Sequence, residues 1–508
     1  MSAIRVAAVG LAAGLTTAFS LPPWGFWILA PVGLAVLYRL LEGRGAPSRA
    51  LAGLTFGVGL LAIGLFFTTA FNAGGWVVLV LLESAFVAVA CALVPPVRGR
   101  SLAFPAVLVL AEVVRGSWPF GGLPMGGIPL GQVSSPIGPA ARLGGPMLLL
   151  ALAALGGVVL AEAARLVPLG QTIDPRRRAH ALATAGLAAV AIVGLAVAGD
   201  LAPDGGAAVG SDRVALVQGG GRRGFRASQV DPATVFDAQL TPSLALRPPL
   251  GLILWPENVL DLNQSLQGSA EAQEVSQLAR AKRATVVAGV TEPVGTSQFR
   301  NIAVAWAPSG AIVATYDKVH RVPFGEWIPW RPFFGLLADL SAVPRDAIPG
   351  HGPGILHTPV GSLGVMISYE VFYEDAGRAA VRSGARLLTV PTNTASYTTS
   401  QVPTQELTTA RLQAIQEGRD LILTSPTGFS TIIDHRGRVL ARSNLGSQQV
   451  VEGTPAMRTG LTPYARVGDV PVLAASGLAV LAAWVLEVLG RRRRRADPRD
   501  PQLTTASR

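Results

Sequence analysis

The stretch Tyr316-Asp-Lys-Val-His-Arg-Val-Pro-Phe-Gly-Glu-Trp327 follows a short apolar run and carries a lysine and a glutamate eight residues apart. Lys318 is one of two lysines in a chain with 40 arginines. A lysine offers a compact, titratable ammonium that arginine does not, so this one stands out chemically. Two more segments share the build. Leu254-Trp-Pro-Glu-Asn258 sets Glu257 just past an apolar run. Gly364-Val-Met-Ile-Ser-Tyr-Glu-Val-Phe372 sets Ser368 and Glu370 at the abrupt end of another. In α/β sheets, functional groups gather where strands end.

Working outward, β-type runs recur at 213–218, 251–255, 285–290, 302–306, 312–316, 363–367, 386–390, 421–424 and 431–433. Helical stretches at 270–283 and 404–418 separate several of them. Strands alternating with helices predict a layered α/β domain, and residues 205–465 are long enough for one.

On either side of it the chain turns apolar. Runs lie at 6–21, 24–38, 51–71, 76–94, 102–114, 143–161, 179–198 and 470–489. A spanning helix needs about 20 residues, so the second and fifth runs are short. The expectation is about eight spans: seven in a membrane domain at 1–204, and one at 466–490. Arginines give the orientation. Arg5, then Arg39, Arg44 and Arg49, then Arg98 and Arg100, then Arg165 and Arg176 to Arg178, and last Arg491 to Arg495 occupy alternate loops. The positive-inside rule predicts a multi-pass plasma-membrane protein with both termini cytoplasmic. The α/β domain then lies outside the cytoplasm, and 491–508 forms a basic, disordered cytoplasmic tail.

Composition agrees. Half of the 508 residues are hydrophobic and 14% are charged, against about 25% in soluble domains. The net charge of +11 invites a nucleic-acid reading, but between Asp212 and Ala456 there are 21 basic and 20 acidic residues. The excess flanks the apolar runs, so no nucleic-acid partner is expected. Cys91 is the sole cysteine and lies in an apolar run, which excludes an internal disulfide and a cysteine-ligated zinc site. The five histidines have no metal-ligand spacing, and neither a metal nor a cofactor is expected. Glu83 and Glu112 sit inside apolar runs, as functional groups or as packing partners of other helices. Residues 326–340 are rich in Trp, Phe and Leu and read as an arm dipping into the outer leaflet, because Trp favours the interface.

These motifs resemble the nitrilase superfamily. With the preceding spans, the single last span and a Ser-Leu-Pro-Pro-Trp-Gly segment in the first hairpin, the chain resembles its membrane-embedded branch, the apolipoprotein N-acyltransferases, over nearly its whole length. Tyr-Asp-Lys-x-His-x-Val-Pro-Phe-Gly-Glu is the most specific piece, and Thr409 to Arg419 matches a helix of the family. The resemblance implies an αββα sandwich after a helical membrane bundle. It implies transfer of an acyl chain from a membrane phospholipid to the α-amino group of diacylglyceryl-cysteine lipoproteins. By position, Glu257 is implied as general base, Lys318 as oxyanion stabiliser and residue 368 as nucleophile. Glu326, Tyr369, Glu370 and Asn393 are implied to shape the substrate site.

Position 368 departs from the family, whose nucleophile is cysteine. A thiol near pKa 8.5 becomes a thiolate beside a cation, whereas a serine hydroxyl needs an efficient base during attack. The segments Asn393-Thr-Ala-Ser-Tyr397, Pro426-Thr-Gly428 and Gly122-Leu-Pro-Met125 depart as well. Two readings stay open: an acyltransferase using Ser368, or a catalytically inactive relative that holds lipid or lipoprotein or modulates an active paralogue. Hydrolysis of a small amide fits the α/β domain but leaves eight spans without a use.

Overall fold

Every one of the apolar runs folds as a helix. The computed structural model describes residues 1–167, 174–221, 230–336, 339–397 and 401–495; of the tail expected to be disordered from Arg491, residues 491–495 instead continue the last helix, Val470–Arg495, and the rest lies outside the described residues. Among the described residues, five helices are long and apolar enough to cross a membrane: Ala46–Gly64, Ala73–Leu93, Gly138–Ala164, Pro175–Leu201 and Val470–Arg492. Ala3–Ala18 and Leu29–Leu40 are apolar but shorter, and Arg100–Ser117 carries Pro105 inside it. Small residues set the spacing, since helices in lipid associate by close backbone packing. A Cβ on Gly14 would sit 2.0 Å from the Phe56 carbonyl oxygen.

Glu83 and Glu112 turn out to be packing partners. Both pair with the buried Arg115, at 3.2 and 2.6 Å. Arg115 also donates to the carbonyls of Leu123 and Met125 at 2.8 and 3.1 Å, which pins the loop that follows its helix. Cys91 is buried among the helices.

The α/β part contains two large sheets. One runs Val439–Arg442, Thr431–Ile433, Leu421–Thr424, Leu387–Pro391, Gly361–Val365, Ile355–Thr358 across its width. The other runs Gln449–Gly453, Val214–Gln218, Leu252–Leu254, Thr285–Val294, Gln298–Trp306, Ile312–Asp317. The centre of each is parallel. All nine expected strands are present, most within one or two residues of the expected ends.

Alternation along the strands builds the layers. Val214, Leu216, Leu252, Leu254, Leu363, Val365, Leu387 and Ile422 turn inward into one apolar core between the sheets. Ala215, Val217, Ile253 and Trp255 turn outward onto Val275 and Leu278 of the helix Ala270–Lys282. Leu388, Val390, Leu421 and Leu423 turn outward onto Ala410 and Ala414 of the helix Val402–Glu417. The result is an αββα sandwich. That last helical layer shares one continuous core with the apolar helices, including Phe56, Leu65, Leu130 and Leu150. The outer face of the sheet that contains Leu387–Pro391 and Leu421–Thr424 is therefore the seat of the helical bundle.

Candidate active site

Glu257, Lys318 and Ser368 each lie just past a strand end; Glu257 and Lys318 touch, and Ser368 joins them through Thr392, whose carbonyl accepts from the Glu257 N–H. Lys318 is 1% exposed, and its Nζ donates to Glu257 Oε1 at 2.9 Å and to Glu326 Oε1 at 2.8 Å. Burial works against its charge, yet the Glu257 and Glu326 carboxylates outweigh that and hold the ammonium above the ordinary lysine range. Two of its three N–H groups serve these bonds, which leaves a third for a developing oxyanion. Glu326 Oε2 accepts from the Val322 N–H at 2.8 Å, closing the turn between Lys318 and Glu326.

Asn301 completes the cluster and was not singled out in the sequence. Its Nδ2 donates to Glu257 Oε1 at 2.8 Å and to Glu326 Oε1 at 2.9 Å. The signal for it is an asparagine entering the apolar run 302–306, where a buried amide needs partners.

Ser368 sits where the strand Gly361–Val365 gives way to a 3-10 turn, Ser368–Phe372. Its φ is +51°, in the left-handed region that non-glycine residues avoid at a cost of order 1–3 kcal/mol. The turn leaves Ser368 partly exposed while Tyr369 and Glu370 are buried. Of the six non-glycine residues with positive φ among the described residues, five are here: Asn258 follows Glu257, Ser368 is the elbow, and Phe120, Phe324 and Trp330 form an aromatic cluster beside the Lys318 loop. Strain of this kind collects at functional sites.

Glu370 is a brace. Its Oε1 accepts from Tyr316 Oη at 2.9 Å, Val319 N at 2.7 Å and His320 N at 3.1 Å, and its Oε2 accepts from Ile367 N at 2.7 Å. It ties the Lys318 loop to the Ser368 elbow. Burial pushes its carboxyl up against these donors. Tyr369 points the other way and donates to the Gly122 carbonyl at 3.2 Å, as does Tyr373 to Gly121 at 3.2 Å. Asn393 closes its own turn, accepting from Ala395 N at 3.3 Å. Thr392, its neighbour, reaches the elbow: its Oγ1 lies 3.2 Å from Ser368 Oγ and also bonds Glu406 Oε1. The Glu257 N–H donates to the Thr392 carbonyl at 3.3 Å.

The helical bundle roofs this site. Tyr397 meets Phe67 and Phe71 at ring distances of 6.0 and 5.7 Å, and burial beside Glu257 and Glu326 pushes its phenol up. On the other flank Phe120 meets Trp330 at 5.0 Å and Phe324 at 6.1 Å. Trp330, Phe333 and Leu336 remain exposed, Leu336 by 84%; Leu337 and Ala338 of the expected arm lie outside the described residues. A cavity of about 350 Å³ between the helix Arg100–Ser117 and the helix Val402–Glu417 reaches His320 and Tyr373 but is not lined by Glu257, Lys318 or Ser368. Among the described residues no group of three metal-ligating side chains comes together.

A carboxylate, a lysine and a hydroxyl at the strand ends of an αββα sandwich define a protein of the carbon–nitrogen hydrolase class, here carried on apolar helices. Residues 213–457 match the carbon-nitrogen hydrolase family, and residues 13–159 match the apolipoprotein N-acyltransferase N-terminal domain. The chain belongs to the apolipoprotein N-acyltransferase family, acyltransferases of the carbon–nitrogen hydrolase superfamily. It is 29% identical to the apolipoprotein N-acyltransferase of Mycolicibacterium smegmatis, covering 91% of this chain and 82% of that one. It is 28% identical to that of Methylococcus capsulatus, covering 91% and 92%. Among solved structures it is similar to Saccharomyces cerevisiae Nit3, of branch 10 of the nitrilase superfamily, with a TM-score of 0.38, 20% identity, and 49% of this chain and 91% of that chain covered.

Proposed function

We propose that this protein takes an acyl chain from a membrane phospholipid onto Ser368 and passes it to the α-amino group of a diacylglyceryl-cysteine lipoprotein. The observation that carries the reading is the buried Lys318, held between Glu257 and Glu326 beside an elbow that leaves Ser368 partly exposed. In the first half, Ser368 Oγ attacks the ester carbonyl, and Lys318 carries the negative charge that develops on its oxygen. The glycerol–acyl bond breaks, and the serine's proton ends on the departing lysophospholipid oxygen. In the second half, the amine nitrogen attacks the acyl-serine. Glu257, the general base, takes its proton and returns it to Ser368 Oγ as the C–Oγ bond breaks. Glu326 and Asn301 keep Lys318 and Glu257 in register, and Glu370 holds the two loops together.

The membrane arrangement in this reading is the one the arginines imply: both termini cytoplasmic and the sandwich outside. Support comes from the far ends of the helices, where Arg165 pairs with Glu42 at 2.5 Å, Arg100 lies 3.6 Å from Glu42, and Arg491 pairs with Glu487 at 2.9 Å while Glu487 accepts from Arg98 N at 2.8 Å. The basic loops thus meet one another, away from the sandwich. Exposed aromatic residues at Trp330 and Phe333 suit an interfacial arm.

The test supplies the full-length protein in vesicles with phospholipid bearing a labelled acyl chain and a diacylglyceryl-cysteinyl peptide. Labelled amide on the peptide, lost in Ser368→Ala, is the expected result. No product from a well-folded protein would reject transfer and leave a lipid- or lipoprotein-binding role, alone or beside an active paralogue. For sidedness, an impermeant maleimide should label Glu271→Cys in a Cys91→Ser background on intact cells; labelling only after lysis would reverse the topology.

A further inference from the structure

Serine at position 368 raises a chemical problem that the Glu257–Lys318 pair does not solve. A cation lowers the pKa of a thiol usefully, but a serine hydroxyl needs a base within hydrogen-bond reach. Glu257 Oε1 is already engaged by Lys318 and Asn301. The group that touches Ser368 Oγ is Thr392 Oγ1, at 3.2 Å, and behind it stands Glu406. Glu406 is 2% exposed and sits on the helix Val402–Glu417, 38 residues from the elbow in sequence.

Building on the acyl-transfer reading above, we propose that Thr392 and Glu406 form a proton relay that serves as the base for Ser368, with Thr392 as a catalytic residue and Glu406 as the positioning residue behind it. The hydrogen-bond arithmetic defines two states. Thr392 has one hydroxyl proton and two oxygen partners. With Glu406 ionised, Thr392 donates to the carboxylate, and its own oxygen is open to the Ser368 proton. With Glu406 protonated, the carboxyl donates to Thr392, Thr392 donates to Ser368, and the serine has no base. As Oγ attacks the ester carbon and the Oγ–C bond forms, the serine proton moves to Thr392 Oγ1. The threonine proton moves to Glu406. When the tetrahedral intermediate collapses and the bond to the glycerol oxygen breaks, the protons run back and one ends on the departing oxygen. Glu406 is again ionised and no other reactant is consumed.

Glu406 is suited to this exchange. Burial pushes its carboxyl up, and the Thr392 bond lowers it; of the charged groups that face it, Glu257 raises it and Lys318 lowers it, leaving it at about 8. A base that gains and returns a proton near ambient pH works best in that range. The relay is also specific to a hydroxyl nucleophile, because a thiolate beside Lys318 needs no base.

The experiment reads Ser368 reactivity directly. A fluorophosphonate probe is applied to the full-length protein in phospholipid nanodiscs, and the labelled residue is located by peptide mass. The wild type should label at Ser368, with a rate that rises with pH about a midpoint near 8. Glu406→Gln and Thr392→Val should each slow labelling by at least ~100-fold, the lower range for a lost general base, and flatten the profile. Thr392→Ser, which keeps the hydroxyl, should stay within ~3-fold of wild type. In a Ser368→Cys background probed with iodoacetamide, Glu406→Gln should change the rate by less than ~3-fold. The relay is overturned if wild-type Ser368 does not label, if Glu406→Gln labels like wild type, or if that change slows both backgrounds equally, which marks a structural role. The acyl-transfer assay run beside it separates the two readings: relay-dependent labelling without lipoprotein acylation keeps the relay and rejects the transfer reading.

Discussion

Replacing Lys318 by methionine keeps the length of the side chain and removes its charge. Lys318 Nζ lies 2.9 and 2.8 Å from Glu257 and Glu326, with Asn301 bonded to the same two oxygens. The Lys318→Met variant therefore leaves two carboxylates facing each other across one amide. Breaking a buried pair by deleting one partner costs about 3–5 kcal/mol. A direct estimate agrees: two charges about 4 Å apart at an effective dielectric of 20 repel by about 4 kcal/mol. One carboxyl escapes that repulsion by taking up a proton, so its folded pKa rises above the unfolded value of about 4.3. The sign follows. A group whose folded pKa is raised contributes its stability in full below the unfolded pKa and loses it as pH climbs through the folded one. The deficit should be small near about pH 5 and approach about 3–5 kcal/mol near about pH 8. Denaturant midpoints of the detergent-solubilised wild type and variant at the two pH values measure it. A deficit under about 1 kcal/mol at the higher pH, or one that does not change with pH, would refute the reasoning, since the first is the value of an exposed pair. Acyl-serine formation should fall by about 10²–10³-fold as the oxyanion loses its donor.

Three further outcomes follow from the same geometry. Glu370→Gln sets an amide NH₂ against either the Ile367 N–H or the three donors on the other oxygen, and should cost about 1–3 kcal/mol and slow acylation, read by unfolding and by probe labelling of Ser368. Arg115→Met strands Glu83 and Glu112 and frees the Leu123 and Met125 carbonyls, so the thermal midpoint should drop by the equivalent of about 3–5 kcal/mol; a Glu83→Gln, Glu112→Gln, Arg115→Met triple variant should recover most of it. Trp330→Asp with Leu336→Asp should raise the KM for phospholipid in vesicles by about tenfold or more, with kcat on a short-chain soluble ester unchanged, since two apolar side chains of about 1.5–3 kcal/mol each are withdrawn from the interface.

What was legible in the sequence had a local signature. Strands such as Leu421–Thr424 and Leu387–Pro391 are buried on both faces and read as unbroken apolar runs. Glu257 and Ser368 lie just beyond such runs, and Lys318 just beyond the more exposed strand Ile312–Asp317, with Glu326 eight residues further on. The edge strands had no such mark: Ala208–Ser211 and Val439–Arg442 are mostly exposed. The helix Pro232–Leu244 holds a proline near its end, which masks its period. Thr392 and Glu406 were invisible for a different reason. The helix Val402–Glu417 is buried nearly all round, polar residues included, so it has no apolar stripe to say which face meets the site. Asn301 acquires meaning only once two carboxylates arrive from other segments. Residues whose role depends on partners far along the chain leave no spacing to read.

The central claim is that Ser368 carries the acyl chain. The most direct measurement incubates the full-length protein with phospholipid bearing a deuterated acyl chain, withholds the amine acceptor, and weighs the peptide that contains Ser368. The account predicts that peptide shifted by one deuterated acyl group, unshifted in Ser368→Ala, and cleared when the diacylglyceryl-cysteinyl peptide is added. A Ser368 peptide that stays unmodified while the acceptor becomes N-acylated, or an acyl group found on another residue, would contradict it.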